Sequence, residues 1–179
     1  MSDLAAVVLA GGAARRLSGV DKPLLEVGGR SLLARVLAAV GDAPAVVVGP
    51  ERTAIAGVRW TREDPPGGGP VAALAAGLDL VTAPRVAVLA ADLAGITRST
   101  VERVAAAVRG DGAVLVDDEG RRQWLIGVWR TASLRAALPA DPRDASVRGV
   151  LGGLSITEVA ALPGETVDID TPSDLDRPG

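Results

Sequence analysis

The sequence predicts a three-layer α/β/α sandwich on a Rossmann-like, mostly parallel sheet, and three observations carry that prediction. Apolar runs of strand length alternate with segments of helical periodicity along the whole chain. The apolar residues, 48% of the total, are almost wholly Ala, Val and Leu, with three Trp and no Phe or Tyr, an aliphatic stock suited to strands buried on both faces. The first run, "LAAVVLA", stops abruptly at Gly11 and Gly12, as a central strand does where it opens onto a loop. The 179 residues fit one domain with room for a core, and no repeat, linker or low-complexity tract divides 1–179.

After the first strand a loop runs to about Gly29. "RSLLARVLAAV" then sets Leu32, Leu33, Val36, Leu37 and Val40 at helical spacing, started by Ser31 and stopped by Gly41. "PAVVVG" reads as a second buried strand and "GVRW" as a short third. Beyond the turn "DPPGGGP", "VAALAAGLDLV" predicts a helix with Pro70 in its first turn, and "RVAVLAAD" a fourth strand. "TRSTVERVAAAVRG" is a helix bounded by hydroxyl residues and Gly110, "GAVLVDDEG" a strand, and "QWLIGVWR" a strand that the Gly120 turn opens to antiparallel placement. Short helices at "TASLRAAL" and "SVRGVLGG", a strand "SITEVAA" and a helix starting at "TPSDL" complete the order. Trp124 and Trp129, five apart on one strand, are expected on opposite faces, and Asp117, Asp118 and Glu119 as a solvated acidic turn.

A formal charge of -3 with interspersed signs gives no basic stripe, which argues against nucleic acid as a partner. The chain has no Cys and no His, so disulfides, thiolate zinc sites and an imidazole base are excluded. Catalysis must rest on carboxylates, Lys, Arg, hydroxyls, backbone amides or a hard cation such as Mg²⁺. "MSDLAAVVLAGG" has an acidic start and too short an apolar run for a signal peptide or membrane span, so the expected compartment is the cytoplasm.

In open α/β sheets ligands sit beyond the carboxyl ends of the strands. Three ends stand out: "LAGGAARRLSGVDK", "EDPPGGGP" and the "AAD" that closes on Asp92. Singly, glycines make turns, Asp64 starts a proline turn and Asp92 caps the following helix. Together, a glycine loop, cations and carboxylates on one rim describe a phosphate and metal site. Lys22 is the only lysine among 19 basic residues, in a chain that otherwise uses arginine, and a compact ammonium is not interchangeable with a planar guanidinium at a tight phosphate site. The loop is neither of the two common nucleotide fingerprints: Asp21 and Pro23 flank Lys22 where a P-loop needs Gly and Ser/Thr, and "GGAARRLSG" does not supply G-x-G-x-x-G.

What the loop resembles is the signature L-A-G-G-x-x-x-R-(M/L)-x-G-x-D-K of nucleotidyltransferases that activate sugars and cofactors, matched at Leu9, Ala10, Gly11, Gly12, Arg16, Leu17, Gly19, Asp21 and Lys22. Its Asp-Lys ending is similar to the molybdenum cofactor guanylyltransferase (MobA-like) branch. "DPPGGGPVAALAAGL" resembles that family's D-x-x-x-x-G-P-L-A-G, "VAVLAAD" stands where it has a metal-binding Asp, and "DIDTPSDL" resembles its N-x-N-T-P-x-D-L. The resemblance implies a fold of the nucleotide-diphospho-sugar transferase type and a transfer of GMP from GTP to a molybdopterin-type phosphate acceptor, with Mg²⁺ as cofactor. It implies nucleotide contacts from Leu9, Gly11, Gly12, Lys22, Asp64 and Asp92, with Ala10 inside the same loop; Arg16 would join Lys22 in offsetting the triphosphate charge, so Arg16, Lys22 and Asp92 are the expected catalytic set. Asp92 would hold the metal. Asp170 is either a second metal ligand or a solvated acid beside the helix start at Thr171 and Asp174. "DIDTP" is also the form of related cytidylyltransferases acting on the same pterin. CMP transfer, sugar-phosphate activation and a nucleotide-binding protein without turnover therefore stay open.

Overall fold

The computed structural model describes residues 3–11, 16–17 and 20–167. The first half of the chain contributes β1 (Leu4–Leu9), β2 (Arg16–Leu17), β3 (Val20–Asp21), β4 (Glu26–Val27), β5 (Arg30–Ser31), α1 (Leu32–Val40), β6 (Ala45–Val48), β7 (Arg59–Thr61), α2 (Gly69–Leu78) and β8 (Arg85–Ala90). The second half adds α3 (Arg98–Ala107), β9 (Gly112–Val116), β10 (Arg122–Arg130), α4 (Thr131–Ala137), α5 (Val147–Leu151) and β11 (Ile156–Ala160).

β1 lies inside the main sheet because it is apolar at every step. Ala6 and Val8 point into one core, and Ala5, Val7 and Leu9 into the other, the two-residue alternation of a strand covered on both faces. It pairs in parallel with β6 and with β8, Leu9 lying opposite both Val48 and Ala90. The sheet runs β7-β6-β1-β8-β10-β9-β11. β10 alone runs against its neighbours, so the expected mostly parallel sheet and the antiparallel option for "QWLIGVWR" both hold. The chain winds outward from β1 through β6 to β7 and then returns past β1 to β8. Winding thus reverses between β1 and β8, whose carboxyl ends open the crevice where such folds bind ligands.

One face of the sheet is covered by α1 and α3 through Leu33, Val36, Val101 and Val104, the other by α2, α4 and α5 through Leu74, Leu78, Leu134 and Leu151. α1 starts where the sequence places it, the Ser31 hydroxyl accepting the Ala34 N–H at 3.2 Å, and stops at Gly41. Among the described residues no helix is long and apolar enough to cross a membrane. The helix expected at "TPSDL", with Thr171 and Asp174, lies outside the described residues.

Two local expectations are corrected. Trp124 and Trp129 pack against the same core, because an irregularity in the β9–β10 pairing between Gln123 and Gly127 resets the alternation that separated them. Asp117 is buried rather than solvated. Its carboxylate accepts the backbone N–H groups of Glu119 and Arg121, the Arg121 guanidinium and the Gln123 amide, and so knits the turn between β9 and β10. Those donors, the Arg121 N–H foremost, hold it below the usual carboxylate range.

Candidate active site at the carboxyl ends of β1 and β8

The short β2–β3 ribbon, with Arg16 opposite Asp21 and Leu17 opposite Val20, turns the chain back after β1 and delivers Lys22 to the first position of a single 3₁₀ turn, Lys22–Leu24. Pro23 suits that turn because its ring fixes φ and needs no N–H partner. Lys22 is 3% exposed, and its Nζ lies 2.8 Å from Asp92 Oδ2. Asp92 is carried by the loop that leaves β8, immediately after the Ala91 N–H has bonded the Leu9 carbonyl at 3.0 Å. The ion pair therefore bridges the ends of the two strands that flank the winding reversal.

Asp92 does not cap the following helix. Thr97 does, in a capping box with Thr100: each side-chain oxygen accepts the other residue's N–H, at 3.2 and 3.3 Å. The carboxylate of Asp92 is left for Lys22 and, with its side chain 24% exposed, for the crevice.

A second cation in the site escaped the sequence reading. Arg52, on the loop after β6 and 7% exposed, grips Asp21 with two parallel bonds, Nε to Oδ2 at 2.5 Å and Nη2 to Oδ1 at 2.8 Å. It also donates to the carbonyls of Pro50 at 3.0 Å and Ala10 at 3.3 Å, and its guanidinium carbon lies 5.9 Å from the centre of the Trp60 ring. The sequence does carry a signal for it: "VVVGPER" is also the carboxyl end of a parallel strand, β6, on the same rim as those of β1, β7 and β8. Gly49 lets these ends converge. Its φ is 150°, and a β-carbon there would lie 2.8 Å from the Ala10 carbonyl oxygen.

The other candidates fall around this cluster. Leu9 and Ala10 are buried at the end of β1. Gly11 is exposed and has no left-handed φ, and a β-carbon there would sit in ordinary van der Waals contact with Gly49 Cα and Val48 O, both at 3.9 Å. Asp64 is exposed just past β7, two strands from β1, and among the described residues no hydrogen bond joins it to the cluster. Its neighbour Glu63 is buried and takes the Gly67 N–H at 2.9 Å. Gly12, Asp168 and Asp170 lie outside the described residues.

The Asp92 loop is itself clasped by the chain that follows β11. Ala94 donates to the Val167 carbonyl at 3.1 Å. Glu165 accepts from Thr100 Oγ1 at 2.7 Å, from Arg103 and from the Leu162 N–H. Burial alone pushes the Glu165 carboxyl up, but the bonds from Arg103, Thr100 and Leu162 outweigh it and hold the group at about 2.

A sheet whose winding reverses between β1 and β8, with a buried lysine paired to a carboxylate where they end, defines an open α/β protein with its ligand crevice at the switch point. A family model described as "MobA-like NTP transferase domain" matches residues 6–159, and the chain belongs to that family: it is a nucleotidyltransferase. It is 31% identical to a molybdenum cofactor guanylyltransferase of Rhodobacter capsulatus over 97% of this chain and 94% of that protein. It is 35% identical to another so named, from Bradyrhizobium sp. (strain ORS 278), over 69% of this chain and 64% of that one. In fold it resembles a nucleotidyl transferase from Methanothermobacter thermautotroptrophicus, with a TM-score of 0.75 and 23% identity over 96% of this chain and 93% of that chain.

Proposed function

We propose that this chain transfers GMP from GTP to a phosphate of molybdenum-loaded molybdopterin and releases pyrophosphate. The names of the two relatives support the acceptor. The observation that carries the reading is the Lys22–Asp92 pair at the switch point, a buried phosphate-binding cation beside a hard carboxylate.

An oxygen of the acceptor phosphate attacks the α-phosphorus in line. The bond from that phosphorus to the bridging oxygen breaks, and its electron pair leaves with pyrophosphate. The nucleophile is already ionised at neutral pH, so a chain without His or Cys lacks nothing the reaction needs. What remains is to align two anions and offset their charge. The backbone from Leu9 to Gly12 would face the triphosphate, with Lys22 and Arg16 meeting its charge and Asp64 the nucleoside.

The residues fit Mg²⁺. Asp92 is a partly exposed hard carboxylate of which Lys22 takes one oxygen, and Mg²⁺ is commonly held by one or two carboxylates plus substrate phosphates. Asp92, with Asp170 as second ligand, would hold it, and it would supply charge neutralisation at the α-phosphate.

The test incubates the protein with Mg²⁺, molybdenum-loaded molybdopterin and each of the four ribonucleoside triphosphates in turn, following pyrophosphate and the dinucleotide product. GTP is expected to support turnover best. Preference for CTP would overturn the base assignment, and tight nucleotide binding without any turnover would overturn the enzyme itself.

A further inference from the structure

We propose that Arg52 is the positioning residue of this site: by holding Asp21 it sets where Lys22 stands, and it governs turnover through Lys22 without touching the nucleotide. The inference rests on the nucleotidyltransferase reading above for its kinetic arm only.

A guanidinium has five N–H groups, and four of those of Arg52 are committed to the protein, two to Asp21 and one each to Ala10 and Pro50. Its plane is thereby fixed by the end of β1, the loop after β6 and, through Trp60, β7. A group so engaged is poorly placed to reach for a phosphate as well. Asp21 is the N-cap residue of the 3₁₀ turn that begins with Lys22, yet its side chain makes no capping bond there; both of its oxygens go to Arg52. The backbone entering Lys22 therefore cannot shift without breaking a bidentate charge-assisted pair. The turn carries Lys22 across to Asp92 on the far side of β1. Trp60, Arg52, Asp21, Lys22 and Asp92 form one line of contacts from β7 to β8, and Arg52 is where that line is anchored to the sheet.

An exposed ion pair contributes little and tolerates exchange of its cation. This one is built on a buried fork, and a lysine, as a point charge, could not bond both carboxylate oxygens and two carbonyls in one plane.

The experiment compares the parent with Arg52→Gln, Lys22→Ala and the two combined. Readouts are melting temperature, GTP affinity, pyrophosphate release, and the rate at which an amine-specific reagent modifies Lys22, assigned without ambiguity in a peptide digest because no other lysine exists. Arg52→Gln is expected to lower kcat about 10- to 100-fold, the scale of an ångström's misplacement, with GTP affinity within about threefold. Lys22 should be modified at least about tenfold faster, its pairing having loosened. Adding Arg52→Gln to Lys22→Ala should cost no further activity, since the residue through which it acts is gone. Losses that multiply in the double variant, or unaltered Lys22 reactivity at full folding, would overturn the proposal. If Arg52→Gln does not fold, Asp21→Asn keeps the shape and weakens the same pair, with the same outcomes expected. A parent without turnover would sink the functional reading, and Lys22 reactivity would still decide the positioning role.

Discussion

Lys22 is an ammonium almost out of reach of water, and its counter-charge is Asp92. Removing that charge has two separable effects. Asp92→Asn takes a carboxylate away from a buried cation, which costs up to about 3–5 kcal/mol, so melting temperature should fall along with turnover. Loss of stability in this variant therefore says nothing for or against a chemical role. Replacing both partners, Lys22→Met with Asp92→Asn, should recover part of the stability, because the buried charge goes together with the carboxylate that balanced it, and should recover none of the activity. Calorimetry and pyrophosphate release on the three proteins separate packing from chemistry; activity returning with stability would make the pair structural. Lys22→Arg keeps the charge but puts a wider, flatter head into an enclosed place. It should reduce turnover much further than GTP affinity, measured by titration beside the rate.

At the scale of elements, the loop after β8 is shaped by close approach. A β-carbon on Gly95 would lie 1.9 Å from the Gly164 carbonyl oxygen and 2.7 Å from its carbon, both backbone atoms that cannot swing aside. Gly95→Ala must push the Asp92 loop from the segment after β11, and overpacking of that kind costs about 1–3 kcal/mol. Gly153→Ala, with nothing within 4 Å, should stay within about 0.5 kcal/mol, and denaturant melts of the two variants check both figures. The elements themselves were legible because their causes are local: aliphatic runs for β1, β6 and β8, the Ser31 cap and Gly41 stop for α1, Pro70 at the start of α2. The rim was legible because parallel strands put their carboxyl ends on one edge. What the sequence hid depends on partners far along the chain. Arg52 reads as one more surface arginine until β3 brings Asp21 to it, 31 residues earlier. The common face of Trp124 and Trp129 needs a slip in strand pairing that alternation cannot foresee. Asp117 looks solvated until Arg121 and Gln123 fold over it.

For the molecule as a whole, Glu165 couples stability to acid. Folding lowers its carboxyl from 4.5 to about 2, so the native state's advantage is complete above about pH 4.5 and is lost as pH falls toward 2. Glu165→Gln should melt lower than the parent at neutral pH, and the two curves should draw together on acidification below about 4.5; a gap that persists at pH 2 would remove the carboxylate from the account. The placement of β1 reaches beyond equilibrium, into the order in which the polypeptide is made. β1 is flanked on one side by β6 and on the other by β8, whose residues 85–90 are made long after residues 4–9. Until they emerge, a growing chain carries an apolar strand with one edge unpaired, the kind of template on which nascent chains stick to one another. Translation that pauses before β8 is complete should therefore leave this protein dependent on chaperones, and a chain cut at Ala83 should aggregate rather than fold, because the partner that closes its centre is the one it lacks.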